Sequence, residues 1–171
     1  VALLKSLAAY FKKGIPMREM RRKDRLISQE EAMEILNKGE YGILATVDEN
    51  GQPYGVPVSY VLLDGFVYFH ATNAGGHKFD NFTKNNKVSF TVVGDTQVLP
   101  EQFGTLYEST MVFGEAMVVE DEGERRSAFL AFLPKYSPAF HVEGEKYIQN
   151  AGSDAMIVKI SIKEISGKSK R

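Results

Sequence analysis

The segment Tyr41–His70 reads YGILATVDENGQPYGVPVSYVLLDGFVYFH, and the way its apolar residues are punctuated decides the fold. Three runs rich in Val, Ile, Leu, Tyr and Phe are separated by DENGQ and by DG. Both interruptions supply residues that tolerate the positive φ of tight hairpin turns. Strands joined by such turns lie antiparallel, so the segment is expected to be a three-stranded meander.

Working outward, SQEEAMEILNKGEYG precedes the meander, and Ser28 and Glu31 have the spacing of a capping box. A helix is expected from about Ser28 to Lys38, with Gly39 as a left-handed C-terminal residue. After the meander, Gly76 to Asn85 reads as one short helix with Phe79 and Phe82 three apart, and KVSFTVV as another strand. GDTQVLPEQFGT reads as a loop, and LYESTMVFGEAMVVE as a long strand bent at Gly114. DEGERRSAFLAFLPKY is helical, with Phe129, Phe132 and Leu133 on one face; AMIVKISIKEISGK is a last alternating strand before a polar KSKR tail. The expected fold is mainly β with inserted helices: about six strands, mostly antiparallel. So many strands in a short chain favour a barrel, because closure removes exposed edges.

A chain of 171 residues with 43% hydrophobic content suits one compact domain. Its 21 Lys and Arg against 22 Asp and Glu, a net charge of -1, give no electrostatic argument for a nucleic-acid or membrane partner. The basic cluster MREMRRKDR, Met17 to Arg25, is interrupted by acids and reads as a solvated segment rather than a nucleic-acid arm. There is no cysteine, which excludes disulfides, thiolate nucleophiles and Cys-based zinc sites and is compatible with a reducing cytoplasm. Residues 1–16 place Leu3, Leu4, Leu7 and Phe11 at helical spacing among lysines. They are read as an amphipathic extension to a domain spanning 17–171, too short and too charged to span a bilayer.

The chemistry concentrates in VYFHATNAGGHKFDN, Val67 to Asn81. A strand ends at His70, small residues follow, and a helix starts near His77 and Lys78. Helix N-termini leave N–H groups unpaired and carry partial positive charge, so an anion gains there. Lys78 in the first turn opposes the helix dipole unless a phosphate reverses the local sign; a merely solvated lysine is the alternative. In the strand YGVPVSYVL, Pro57 cannot donate to a sheet ladder. The backbone there is expected to face something other than a neighbouring strand, either a flat aromatic ligand or an ordinary edge. His70 has the alternative of a core histidine. His70, His77 and His141 are spaced seven and sixty-four residues apart, which fits no local metal motif, and no metal site is expected.

REMRR, G-x-P-Y-x-V-P-V-S-Y and YFH…GHK-x-D-N, carried on Met17 to about Val93 and more loosely on Leu106 to Ile165, resemble the FMN-binding split-barrel proteins of the pyridoxamine 5'-phosphate oxidase superfamily. Within it, the chain is most similar to the branch associated with 5-nitroimidazole antibiotic resistance. The resemblance implies a six-stranded antiparallel split β-barrel, a homodimer with FMN at its interface, and a small electron-accepting organic substrate. It also implies that Val56, Pro57, Val58 and Ser59 run beside the isoalloxazine and ribityl chain. Phe69, His70 and Ala71 then end the next strand at the phosphate, His77-Lys78 clamp it, and Ser109 contacts the ring. No positive charge occurs between Val56 and Val61, where the vitamin oxidases carry a basic residue. That departure argues against vitamin-oxidase activity and leaves Lys78 as the main phosphate cation, while the resemblance to the resistance branch implies an oxidoreductase of nitroreductase type in which His77 holds a small anionic or reducible ligand beside the flavin. The alternative is a non-catalytic flavin- or haem-binding protein of the same fold.

Overall fold

The computed structural model describes residues 18–151 and 155–171; the extension expected over 1–16 lies outside them. Six strands form one closed antiparallel barrel: β1 (Tyr41–Val47), β2 (Pro53–Leu63), β3 (Phe66–Thr72), β4 (Lys87–Leu99), β5 (Gly104–Val118) and β6 (Ala155–Lys170). Their order around the barrel is β1-β2-β3-β6-β5-β4, closed by β4 on β1. The meander β1–β2–β3 stands as its two turn signals require. Among the described residues four α-helices decorate the barrel: α1 (Gln29–Lys38), α2 (His77–Lys84), α3 (Glu122–Tyr136) and α4 (His141–Ala151).

Inward side chains of every strand, among them Leu44, Tyr60, Val67, Phe69, Phe90, Val112 and Ile160, fill the interior, and α1 and α2 add Ala32, Ile35, Leu36 and Phe82 to the same cluster. Burying a side chain of that size contributes about 1.5–3 kcal/mol. A second cluster lies outside the wall, where α3 lays Ala128 and Phe129 over Val61, Tyr68 and Ile157. It is fastened by Glu124, which accepts from the Tyr68 hydroxyl at 2.7 Å and pairs with Lys159 at 2.7 Å.

The capping box on α1 is present: the Ser28 hydroxyl accepts from Glu31 N–H at 3.1 Å, and Glu31 accepts from Ser28 N–H at 3.0 Å. Gly39, however, is extended at φ -61°, not left-handed. It is glycine because a Cβ would strike Val92 and the Tyr60 hydroxyl. Gly114 does mark an irregularity, a register shift between β5 and β6, and a Cβ there would meet the Ser161 carbonyl.

Three expectations need correction. Gly94–Thr105 is not a loop: after a bulge between Val93 and Thr96, β4 and β5 pair again from Thr96↔Tyr107 to Leu99↔Gly104. Such a two-stranded ribbon meets solvent on both faces, so its sequence has no apolar alternation to read. Lys168–Lys170 is not a tail, because Tyr107, Glu108 and Ser109 pair with it. α4 was not anticipated, since Gly144 interrupts its pattern; that glycine makes room for Leu133 of α3.

No helix among the described residues is long and apolar enough to cross a membrane. Part of the outer wall is covered by no helix among the described residues. There a cross-strand row, Pro57–Ile43–Thr91–Met111–Ser166, runs over β2, β1, β4, β5 and β6. Tyr41, Ile43, Val93 and Met111 are exposed on it.

Candidate functional site

The barrel opens on one side. β2 and β3 pair only from Tyr60↔Phe69 to Leu63↔Phe66. Beyond that point His70–Thr72 stay with β6, whereas Pro53–Ser59 stay with β1. The other edge of β2 over Pro53–Ser59 therefore faces no strand among the described residues, and it includes Pro57, whose missing N–H makes it suited to an unpaired edge. Tyr136 of α3 ends the ladder: its hydroxyl accepts from Tyr60 N–H at 2.9 Å and lies 2.8 Å from the Tyr60 carbonyl, with the Glu40 carbonyl also in reach. One hydroxyl thus meets backbone groups at the point where the strands part. Burial raises the Tyr136 pKa, so the phenol stays protonated and able to donate.

The gap is walled by the α2 N-terminus. Gly75 and Gly76 have φ +79° and +125°, which a Cβ would disfavour, and nothing lies within 4 Å of where a Gly76 Cβ would sit. Gly76 is the N-cap, and no side chain caps the first turn. α2 is anchored behind this opening by Phe82 in the core and by buried Asn81, whose amide donates to Thr46 on β1 at 2.9 Å. The helix end is held in place while its first-turn amides meet no capping side chain.

Around this gap the structure brings together half of the ten residues expected from sequence: Pro57, Ser59, His70, His77 and Lys78. His77 is exposed and its ring stacks on Tyr54 of β2, centroids 4.2 Å apart. Lys78 is half-buried and close enough for its charge to act on His70. His70 points outward from β3, its ring edge-on to Phe132 at 5.3 Å. Burial first, and the Lys78 charge second, hold its pKa below 6.5, so the imidazole is neutral at neutral pH. Phe132 in turn stacks on Tyr136 at 5.7 Å, and Ser59 lies near the Tyr136 hydroxyl. Pro57 and Ser59 are exposed on β2.

The others are placed differently. Val56 and Val58 pack against the barrel core, Phe69 is in it and Ala71 is buried, so from the split side they offer backbone. Ser109 is on β5, separated from β2 by β1 and β4, in the wall of a cavity of about 820 Å³ bounded by residues 18–29. Within one copy it does not join the other residues. His141 faces Glu145 on α4 at 3.5 Å, away from the gap. No group of three potential ligands able to hold a metal occurs among the described residues.

Sequence reasoning missed Tyr54, Asn81 and the roles of Phe132 and Tyr136 at the gap. Tyr54 has a local signal, an aromatic three residues before Pro57 on the same strand; the α3 aromatics have none, because only the fold carries α3 to the split. Lys135, beside Tyr136, places its ammonium over the Tyr60 ring at 3.9 Å, with no hydrogen-bond acceptor among the described residues.

The profile of the family described as pyridoxamine 5'-phosphate oxidase matches residues 28–169. No curated protein matches the sequence. Among solved structures, a candidate 5-nitroimidazole antibiotic resistance protein from Bacteroides thetaiotaomicron superposes with a TM-score of 0.69 at 21% identity, over 84% of this chain and 85% of that one. An FAD-binding protein from Mesorhizobium loti gives 0.60 at 22% identity over 86% and 98%. The haem storage protein of Vibrio cholerae gives 0.61 at 18% identity over 82% and 94%. At these identities the likeness is one of fold.

Proposed function

This chain belongs to the pyridoxamine 5'-phosphate oxidase family, and from that premise we propose that it binds FMN in the split between β2 and β3 and acts as an oxidoreductase of nitroreductase type. The observation that carries the reading is the uncapped α2 N-terminus at Gly76-His77-Lys78, opening onto a strand edge that no other strand uses. A phosphate dianion fits that donor set, because backbone N–H groups, the helix field and one ammonium all favour negative charge. Gly75 and Gly76 leave the approach clear.

In this reading Lys78 and the α2 amides hold the phosphate, and Ser59 and the β2 edge at Pro57 lie along the ribityl chain and ring. Phe69, His70 and Ala71 border the phosphate end, with Val56 and Val58 contributing backbone. Bound flavin supplies transfer of electrons from a reduced donor to an electron-poor organic acceptor. His77, exposed on its Tyr54 platform, holds the anionic or reducible group of the substrate. Ser109 reaches the ring only from a second copy, so the reading includes a homodimer with the flavin at its interface. A cysteine-free chain fits a reducing cytoplasm.

Haem is the second reading, favoured by a single feature: His70 offers a neutral imidazole beside Phe132, the form an axial ligand needs. Parallel titrations separate the two. The expected result is saturable FMN uptake at one per chain and reduction of a 5-nitroimidazole by the loaded protein. A Soret shift with haemin, lost in His70→Ala, in protein that ignores FMN would replace the flavin reading with haem binding.

A further inference from the structure

The flavin reading makes no use of Lys135. Its Nζ is buried, meets no hydrogen-bond acceptor among the described residues, and sits 3.9 Å from the centroid of the Tyr60 ring and 5.5 Å from that of Tyr136. The Tyr60 ring is fixed: it is fully buried, lies edge-on to Phe90 at 4.9 Å and donates its hydroxyl to the Leu36 carbonyl. A ring face attracts an ammonium but does not satisfy its N–H donors as water does. The charge held there is short of hydration.

Lys135 and Tyr136 are consecutive at the end of α3, and both act on Tyr60: the ammonium on its ring, the Tyr136 hydroxyl on its N–H and carbonyl. The turn that carries them is loosely tied to the helix body. Pro134 has no N–H for the Leu130 carbonyl, so α3 loses a bond one residue before Lys135. Upstream, Leu133 is buried and packed on Gly144 of α4; downstream, Tyr136 is 36% exposed, so the turn has water to swing into. Released, it would hydrate Lys135 and take the Tyr136 hydroxyl from Tyr60, the first β2 residue paired with β3. Of the charges nearby, Glu40, exposed between α1 and β1, acts on Lys135. α1 ends on exposed Lys38, and α4 carries exposed Glu143 and Lys146, with His141 and Glu145 facing each other at 3.5 Å. Burial raises the phenols of Tyr60 and Tyr136, so both stay protonated below pH 10.

We propose that Lys135 is a positioning residue for the split: its ammonium on the Tyr60 ring keeps the last turn of α3 releasable, and that release is the gate through which FMN passes. The gate rests on the flavin reading; the release does not. In the closed turn burial lowers the amine from 10.5 to about 8, whereas in the released turn it regains its ordinary value. Release therefore takes up a proton between those values. It grows rarer, by up to about tenfold per pH unit, as pH rises from about 8 to 10.5, and is constant below about 8.

The Tyr60 amide reports the clamp directly, since its N–H is the bond that Tyr136 holds. Its exchange in flavin-free protein is measured by NMR at pH 8 and pH 9.5 and corrected for the intrinsic rate; FMN release from loaded protein is timed by stopped-flow fluorescence at the same two pH values. The expected result is a roughly tenfold gain in Tyr60 protection and a comparable slowing of FMN release in the wild type, both absent in Lys135→Met, which is closed and slow at either pH. Flat Tyr60 protection in the wild type, or a pH dependence that survives Lys135→Met, overturns the positioning role. Protection that follows Lys135 while FMN release does not overturns the gate alone. A protein that takes up no FMN removes the flavin reading and the gate with it, and the exchange profile still decides the role of Lys135.

Discussion

Lys78 stands half-buried in the first turn of α2, where a helix by itself prefers an acid, close enough for its charge to act on His70 of β3. If it meets a phosphate as a charge-assisted partner, Lys78→Ala weakens FMN binding by about 1.5–3 kcal/mol, roughly ten- to a hundredfold, measured by fluorescence titration. Unchanged affinity returns Lys78 to the solvated class. Lys135 poses a different problem. Burial depresses its pKa from 10.5 to about 8, against the pull of the Tyr60 ring face. Between those values the unfolded chain binds more protons than the folded one, so stability rises as pH climbs from about 8 to 10.5. Lys135→Met is expected to stabilise the protein by about 1–2 kcal/mol at pH 7, a gain that shrinks at higher pH. Urea unfolding at pH 7 and pH 10 checks this; a destabilised variant at pH 7 would mean that the cation–π contact outweighs desolvation.

Among the elements, α3 does more than cover the barrel wall. Its Tyr136 hydroxyl terminates the β2–β3 ladder, and its Phe132 backs His70, so one helix both maintains the split and lines it. Tyr136→Phe removes the ladder's last partner and is expected to cost about 1–2 kcal/mol in stability, with weaker FMN binding than that loss alone accounts for. Thermal unfolding and titration of the same preparation distinguish the two effects, and full flavin affinity in a destabilised variant would confine Tyr136 to a structural role. This helix also shows where sequence legibility stopped. The meander, the α1 capping box and α2 were readable because turn chemistry and capping are local. The β4–β5 ribbon, the end of β6 and α4 were not: two-sided solvent exposure erases alternation, and Gly144 obeys a packing demand from Leu133 that is visible only in three dimensions. Of the site, His70, His77, Lys78, Pro57 and Ser59 could be found by motif, whereas Phe132 and Tyr136 come to it through the fold.

For the molecule as a whole, the closed barrel carries a parted seam where β2 leaves β3. A helix N-terminus without a side-chain cap faces that seam, and a sheet face that no helix covers among the described residues continues from it across β1, β4 and β5. The central claim is that the seam is a berth for a flavin nucleotide whose phosphate rests on Gly76-His77-Lys78. Its most direct test is mass spectrometry of whatever is released when freshly purified protein is denatured, paired with the absorption spectrum before denaturation. The claim predicts a yellow protein that releases FMN at close to one molecule per chain. A colourless protein that releases no flavin, and takes none up from an excess of FMN, would contradict it.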